Sequence, residues 1–274
     1  EALISMGTPL PGGVSLTEVT ERCALAAGWS STDGWHRAGD PDKRYPPHIR
    51  RGVGFALAFK NVGFSFGYQD NCWARIELRG QAEIEEAIVS YGGAEVGQGN
   101  HTALAQMAAQ ALGVPIERLR LNLSDTATSP GSSGSASASR LTFMSGNALR
   151  GAAKAALACW QAQERPAIAE FTYLAPKTTP FDPVSGHGSP NFAYGYVAQA
   201  VEVEIDIETG QVRIPHVVCA DDVGKAINPQ MIEGQIEGGI AQAVGWATCE
   251  NFISSDGRVL TPHLSTYLIP TVAD

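Results

Sequence analysis

Apolar and polar residues alternate over short stretches in the first half of the chain, which is the pattern of half-buried strands. In the stretch from Cys72 to Leu78 the apolar residues take every second position, so they share one face of the predicted strand. The strands predicted from such runs cover residues 52–59, 72–78, 83–91 and 119–123.

Helical periodicity and end signals predict four helices between and after these strands. Ser15-Leu16-Thr17-Glu18 matches a capping box and predicts a helix over 15–28. Apolar residues at helical spacing in 100–112, followed by Gly113, predict a second helix. The other two helices are predicted over 145–162 and from 228 to about 246.

The second half contains two strand patterns joined by a turn signal. Residues 196–207 and 211–220 flank Glu208-Thr209-Gly210, which predicts a hairpin. Because strands and helices mix without strict alternation, the predicted class is α+β, with mixed sheets and packed helices. We expect an N-terminal helix and irregular connection over 1–50, a first lobe over 51–165 and a second lobe over 166–274.

Composition and charge exclude several classes of protein. Of the 274 residues, 44% are hydrophobic, which is enough to build a buried core, and only 17% are charged. This composition excludes a disordered chain. The 28 acidic residues outnumber the 19 Lys and Arg, and no basic run occurs, so we expect no nucleic-acid partner. The sequence has neither an apolar stretch of membrane-spanning length nor a signal-peptide pattern.

Cysteine and histidine usage predicts neither disulfides nor protein-ligated metals. The five cysteines are scattered without a Cys-x-x-Cys pair, and the six histidines are equally dispersed. An odd, unpatterned set of cysteines is typical of a reducing compartment, so we expect a cytoplasmic location. We expect no zinc or iron–sulfur cluster bound by these side chains. The chain starts without Met and ends at Asp274, so we expect a piece of a longer polypeptide or a split subunit.

The first candidate motif, Gly63-Phe64-Ser65-Phe66-Gly67, matches the nucleophile elbow of serine hydrolases. Such an elbow needs a helix directly after the serine, whereas a turn and another strand are predicted here. A structural role is therefore the favoured interpretation, and a serine hydrolase using Ser65 is kept as an alternative function.

Two glycine- and serine-rich segments are candidate ligand loops. Gly97-Gln98-Gly99 precedes a helix, where unpaired N–H groups favour an anion and the Gln98 carboxamide suits a flat heterocycle. The other interpretation is a helix cap with a solvent-facing glutamine. The serine run over 129–139 is either a flexible linker or a compact loop that lets a cofactor approach its backbone.

The predicted helix from 228 carries Gly234-Gln235-Ile236-Glu237-Gly238. Because each glycine costs about 1 kcal/mol in a helix, the glycines indicate close approach of a backbone or a ligand. Gln235 and Glu237 point in different directions, so one can face a ligand while the other faces solvent. For Glu237 a solvated position is favoured over a general base.

Taken together in chain order, these segments resemble the C-terminal part of the molybdenum-cofactor-binding subunit of the xanthine dehydrogenase and aldehyde oxidase family. No single motif is specific, but their order is. The resemblance runs from about Gly52 to Asp274. The matching segments are Glu95–Thr102, Ser139–Ala148, Phe192–Gly195, Asp222–Pro229, Gly234–Gly238 and Ser265–Pro270.

The resemblance implies which residues contact the cofactor. Gln98, next to Gly97, and Gln235 match the two glutamines that reach the molybdopterin and the metal. Ala138 matches the small residue beside the metal. The loop that hydrogen-bonds the pterin and its phosphate is matched by Ser139, Arg140 and Thr142, with Arg140 acting through its main chain. No side chain of this chain is expected to ligate the metal, because the pterin dithiolene holds it.

The resemblance also implies the activity and its partners. The expected reaction is hydroxylation of an N-heterocycle or aldehyde carbon with water as the oxygen source. Molybdenum with molybdopterin, as such or as the cytosine dinucleotide, is the expected cofactor. Electrons are expected to leave to 2Fe–2S clusters and FAD on partner subunits or domains.

Three departures from the family pattern limit the part that this chain plays. The family's catalytic glutamate lies in a Gly-Val-Gly-Glu segment that the chain lacks, so we expect it outside the chain. The glycine-rich phenylalanine segment that covers the other side of the metal is also absent, and the span 162–176 is short for the family. We therefore expect one wall of the cofactor site here and the rest of the molybdenum subunit elsewhere. A cofactor-free interaction subunit is the other alternative.

Overall fold

The computed structural model describes residues 7–8, 12–37, 45–63, 66–123 and 134–272. Helices and mixed sheets alternate irregularly along the chain, which confirms the α+β class. The helices are α1 (Leu16–Ala26), α2 (Asn100–Leu112), α3 (Arg140–Gln161) and α4 (Pro229–Thr248). The strands are β1 (Trp29–Ser30), β2 (His36–Arg37), β3 (Ile49–Asn61), β4 (Asn71–Arg79), β5 (Glu86–Tyr91), β6 (Leu119–Leu123), β7 (Ala167–Leu174), β8 (Tyr194–Asp206), β9 (Val212–Asp222), β10 (Ser254–Ser255) and β11 (Arg258–Val259).

The chain divides into two compact units. Unit 1 consists mainly of Phe59–Tyr196, and unit 2 mainly of Leu16–Ala58, Val197–Asp222 and Asn228–Asp274. The predicted functional division into two cofactor-binding lobes at 51–165 and 166–274 stays a prediction.

Unit 1 is built on a four-stranded sheet in the order β6-β5-β4-β7. The central strand β4 pairs antiparallel with β5 and β7, and β5 pairs parallel with β6. Ile76 lies opposite Val89 on β5 and Ala169 on β7, so the apolar positions of neighbouring strands share one face.

Helices α2 and α3 cover this apolar face and complete the core of unit 1. Small residues on one side of α3 let the helix approach the sheet closely, because an alanine side chain adds little between two backbones. The core residues with no accessible surface include Ala74, Ile76, Leu78, Val89, Tyr91, Leu104, Met144, Leu149, Ala152 and Ala156.

Unit 2 contains a three-stranded sheet in the order β3-β8-β9, against which α1 packs through β9. Glu202 on β8 is buried and forms ion pairs with both Arg37 and Arg51. The guanidinium of Arg37 also lies over the ring of Trp29, 5.4 Å from its centroid. These contacts hold the hairpin of β1 and β2, which lies in the segment predicted to be irregular.

Three further differences from the predicted elements concern long-range contacts. Helix α3 begins at Arg140, five residues before the predicted start, and β7 pairs with β4 over a segment for which no strand was predicted. The predicted hairpin of β8 and β9 is present, and the neighbouring strand β3 runs to Asn61, two residues beyond the predicted end.

The five cysteines are free thiols. Among the described helices, none has the length and hydropathy to cross a membrane.

Candidate functional site

The Gly97-Gln98-Gly99 segment forms a tight loop between β5 and the start of α2 in unit 1. Gly97 has φ +100° and Gly99 has φ +80°, which is the left-handed region that favours glycine. A Cβ built on Gly97 would meet no described atom within 4 Å, so backbone conformation and not crowding requires glycine there. The loop presents its backbone at the N-terminus of α2.

The carboxylate of Glu95 occupies the N-terminal end of α2. Its Oε1 accepts from the N–H groups of Gly97 and Gly99 at 3.0 and 2.9 Å, and its Oε2 accepts from that of His101 at 2.9 Å. Burial raises the pKa of Glu95, and the N–H bonds outweigh it, so the pKa lies below its ordinary value of 4.5. The anion expected at this helix terminus is therefore supplied by the chain itself.

The carboxamide of Gln98 is oriented by its own loop. Its Oε1 accepts from the N–H of Val96 at 2.6 Å, and its Nε2 donates to the carbonyl oxygen of Ala94 at 2.8 Å. A carboxamide has two donor hydrogens and two acceptor lone pairs. These two bonds fix its plane and leave one donor hydrogen and one acceptor lone pair for a ligand, and the role of Gln98 in cofactor binding stays a prediction.

A hydrogen bond joins the start of α2 to the start of α3. Nδ2 of Asn100, the first residue of α2, donates to Oγ1 of Thr142 at 2.9 Å. Asn100 is 5% exposed, and its Oδ1 has no hydrogen-bond partner in the described part of the chain. Two of the segments predicted to bind the cofactor thus meet in unit 1, beside a buried acceptor without a donor.

The end of the serine run is closed by the side chain of Arg140. Its guanidinium forms a bidentate ion pair with Asp70, with Nε–Oδ2 and Nη2–Oδ1 distances of 2.6 and 2.5 Å, and both side chains are more than 90% buried. Nη1 donates to the carbonyl oxygen of Ser135 at 2.9 Å. The Arg140 N–H donates to the carbonyl oxygen of Ser137 at 3.1 Å, so its predicted main-chain contact with the pterin stays a prediction.

Two exposed residues precede Arg140 at the N-terminus of α3. Ala138 has φ +50°, which is rare for a residue with a Cβ, and Ser139 is the N-cap but makes no capping hydrogen bond with its hydroxyl. Left-handed residues other than glycine are strained and cluster at ligand sites. The part of the serine run described by the structure, from 134 on, is a shaped loop; residues 129–133 lie outside the described residues.

We expect Ala138→Gly to raise the free energy of unfolding by about 1 kcal/mol, because glycine adopts φ +50° without the strain of a Cβ. Chemical denaturation followed by circular dichroism measures the change. Ala136→Gly is the matched control, since Ala136 has no positive φ and its replacement is expected to lower stability slightly. A loss of stability in both variants would contradict the inferred strain.

Gln235 lies on α4 in unit 2, where its side chain is exposed. A Cβ built on Gly234, Gly238 or Gly239 would meet no described atom within 4 Å, so in this structure the helix glycines face open space. Glu237 is exposed on the same helix. The convergence of Gln235 with Gln98 on one ligand stays a prediction.

The Ser65 interpretation gains no support. Ser65 lies outside the described residues, and residues 66–70 form turns that lead into β4, where a hydrolase elbow requires a helix. Across the described ranges, no group of three or more His, Cys, Asp or Glu side chains is arranged to hold a metal ion. Besides the Glu95 carboxylate, which already accepts from the N–H groups of the loop, the polar groups there are the Gln98 carboxamide, hydroxyls and backbone, which can hydrogen-bond an organic ligand.

Comparison with known proteins identifies the family to which the chain belongs. A family model described as molybdopterin cofactor-binding domain matches residues 26–165 and 154–274. The chain belongs to this family. This confirms the resemblance inferred from the ordered motifs.

Relatives and solved structures agree with the family. A probable xanthine dehydrogenase subunit of Bacillus subtilis is 32% identical over 262 residues, with 83% of this chain and 34% of the relative covered. The aldehyde oxidoreductase of Megalodesulfovibrio gigas is 30% identical over 220 residues, covering 74% and 24%. The crystal structure of the aldehyde oxidoreductase from Desulfovibrio desulfuricans superposes with a TM-score of 0.76 at 27% identity, covering 92% of this chain and 28% of that one. The chain spans at most about a third of these proteins.

Three residues of the site were not singled out from the sequence as functional candidates. Glu95 had a local signal, since its carboxylate is two, four and six residues from the N–H groups that it accepts. Asp70 had none, because its partner Arg140 is 70 residues away. Asn100 lies within the matching segment Glu95–Thr102, but no role was predicted for it beyond the start of a helix.

Proposed function

We propose that this chain supplies the molybdopterin-binding wall of a molybdenum hydroxylase that hydroxylates an N-heterocycle or aldehyde carbon with water. The observation that carries the proposal is the hydrogen bond between Asn100 and Thr142, which joins two of the motif segments of the molybdopterin-binding family. The relatives named xanthine dehydrogenase and aldehyde oxidoreductase support this class of reaction.

The residues at the loop fit a molybdopterin. Gln98 offers one donor and one acceptor in a fixed plane, and the Ser139 hydroxyl makes no capping bond. Among the described residues no donor reaches the buried Asn100 Oδ1, so a ligand group can satisfy this acceptor. We assign Gly97, Gln98, Ala138, Ser139, Arg140, Thr142 and Gln235 to the cofactor.

When bound, the molybdenum cofactor supplies a Lewis-acidic, two-electron centre that activates water. The part of this chain is to bind and orient it. The Gln98 and Gln235 carboxamides are positioned as neutral hydrogen-bonding groups, which stabilise developing charge without taking a proton themselves. The base that removes a proton is assigned to a glutamate outside this chain, and Glu237 does not take that role.

The finer cofactor and partner assignments follow from the same proposal. The remainder of the molybdenum subunit is expected to complete the pocket, and 2Fe–2S and FAD partners are expected to carry electrons away. Two relatives whose names make them single subunits of larger enzymes support a multi-subunit complex: the Bacillus subtilis protein and the gamma subunit of the 6-hydroxypseudooxynicotine dehydrogenase complex of Paenarthrobacter nicotinovorans. Release of cytidine monophosphate on acid hydrolysis distinguishes the cytosine dinucleotide from plain molybdopterin.

Metal and pterin analysis of the purified native assembly tests the proposal. We expect stoichiometric molybdenum by mass spectrometry together with a fluorescent pterin after oxidation. An assembly that is intact but free of both would favour a cofactor-free interaction subunit. Labelling of Ser65 by a fluorophosphonate probe would favour the hydrolase alternative.

A further inference from the structure

We propose that Glu95 is a positioning residue. Its carboxylate accepts hydrogen bonds from the backbone N–H groups at the start of α2 and thereby holds Gln98 in its cofactor-binding orientation. The inference rests on the proposed function, because the expected effect of Glu95 is on the binding of molybdopterin. Its geometry rests on three N–H bonds of 2.9–3.0 Å to one carboxylate.

The two glycines that Glu95 binds are the immediate neighbours of Gln98. Both have positive φ, and glycine gives the backbone wide freedom at such positions. Because Oε1 accepts from both N–H groups at once, it fixes the Val96–Gly97 and Gln98–Gly99 peptide units. Without that carboxylate, its hydrogen bonds no longer offset the conformational entropy that the two glycines lose when the loop is ordered.

The carboxamide of Gln98 is held by the residues that flank Glu95 in the chain. Val96 donates to it and Ala94 accepts from it, and the N–H groups that bind the Glu95 carboxylate follow in the same stretch of eight residues, 94–101. A change at Glu95 therefore reaches Gln98 through the backbone they share. The positioning role requires no direct contact between Glu95 and the cofactor.

Burial raises the pKa of Glu95, but the backbone N–H bonds hold it below its ordinary value, so the carboxylate stays ionised. His101, whose N–H it accepts, has its ring edge-on to Tyr91 at 5.9 Å and its Nε2 3.3 Å from the carbonyl oxygen of Gly93. Burial and the charge of Glu95 raise the pKa of Tyr91, so this phenol stays neutral. Because the N–H groups at the start of α2 already donate to Glu95, we place the phosphate of the cofactor away from this helix terminus.

Glu95→Gln removes the charge while keeping the shape of the side chain. One amide oxygen cannot accept three N–H groups, and the new NH₂ group faces a donor. We expect the holoenzyme carrying this variant to lose molybdopterin about tenfold faster on dialysis, which corresponds to about 1.4 kcal/mol. Glu117→Gln is the matched control: it removes the same charge from an exposed residue of the turn that follows α2, and we expect no change.

A double-mutant cycle with Gln98→Ala tests whether Glu95 acts through Gln98. If it does, Glu95→Gln/Gln98→Ala loses the pterin no faster than Gln98→Ala alone, because the residue being positioned is gone. Multiplied rates in the double variant would overturn the positioning role, and so would a pterin loss rate in Glu95→Gln equal to that of wild type.

A second readout separates this inference from the proposed function. In the cofactor-free protein, Glu95→Gln should speed amide hydrogen exchange at Gly97, Gly99 and His101, and unchanged exchange there would overturn the geometry itself. A purified wild-type assembly that contains no pterin would overturn the proposed function and the positioning role with it. If the wild type retains pterin and the two substitutions multiply their effects on the pterin loss rate in the double variant, the positioning role alone is overturned.

Discussion

Replacing Arg140 by methionine is expected to lower the free energy of unfolding by about 3–5 kcal/mol, because it leaves the Asp70 carboxylate buried without its counter-ion. The same change frees the carbonyl oxygen of Ser135 from its guanidinium donor, so the loop before α3 loses its closure. Urea denaturation of the variant and of wild type, followed by circular dichroism, measures the difference. The variant should also lose cofactor under conditions where it is still folded.

Two further variants establish that the buried charge causes the loss. Arg150→Met changes an exposed arginine of the same helix, so we expect an effect within about 0.5 kcal/mol. Asp70→Leu/Arg140→Met removes both charges and should be clearly more stable than Arg140→Met alone. An Arg140→Met protein as stable as Arg150→Met would contradict the inferred ion pair.

Replacing Gln235 by alanine is expected to lower kcat about 10²–10³-fold, the size of effect found when a hydrogen-bonding group at a reacting centre is removed. The exposed position of Gln235 on α4 predicts a stability change within about 0.5 kcal/mol. Steady-state rates with an artificial electron acceptor, using the aldehyde or heterocycle that the wild-type assembly oxidises, measure the first. Thermal denaturation measures the second.

Gln242→Ala provides the matched control for Gln235. It removes the same carboxamide from an exposed position two turns further along α4 and should leave kcat unchanged. Equal turnover of Gln235→Ala and wild type would remove Gln235 from the cofactor site. A fall in both variants would indicate a general effect on the helix.

Elements with local end signals could be predicted from the sequence. The bounds of α2 match the prediction because Gly99 and Gly113 take left-handed conformations at its two ends. The early start of α3 could not be foreseen, since its first residue is held by Asp70, far away in the chain. Strand β7 has apolar and aromatic residues typical of a strand, but its place beside β4 depends on pairing across almost 100 positions.

The candidate site was predictable in its motifs but not in its internal bonding. Spacing alone left Gln98 open between a cap and a ligand residue, and the ordered motifs favoured the ligand residue. Glu95 is close enough in the chain to reach the N–H groups at the start of α2, but spacing alone does not select it as their acceptor; the structure shows Glu95 there. The link from Asn100 to Thr142 depends on how α2 and α3 pack on the sheet, which only the fold determines.

A structure of the cofactor-bound native assembly tests the central claim most directly. The account predicts one pyranopterin within hydrogen-bonding distance of the Gln98 carboxamide, the Ser139 loop and the Gln235 carboxamide together. A pterin bound away from all three, or these residues found on separate surfaces too far apart to touch a common ligand, would contradict it.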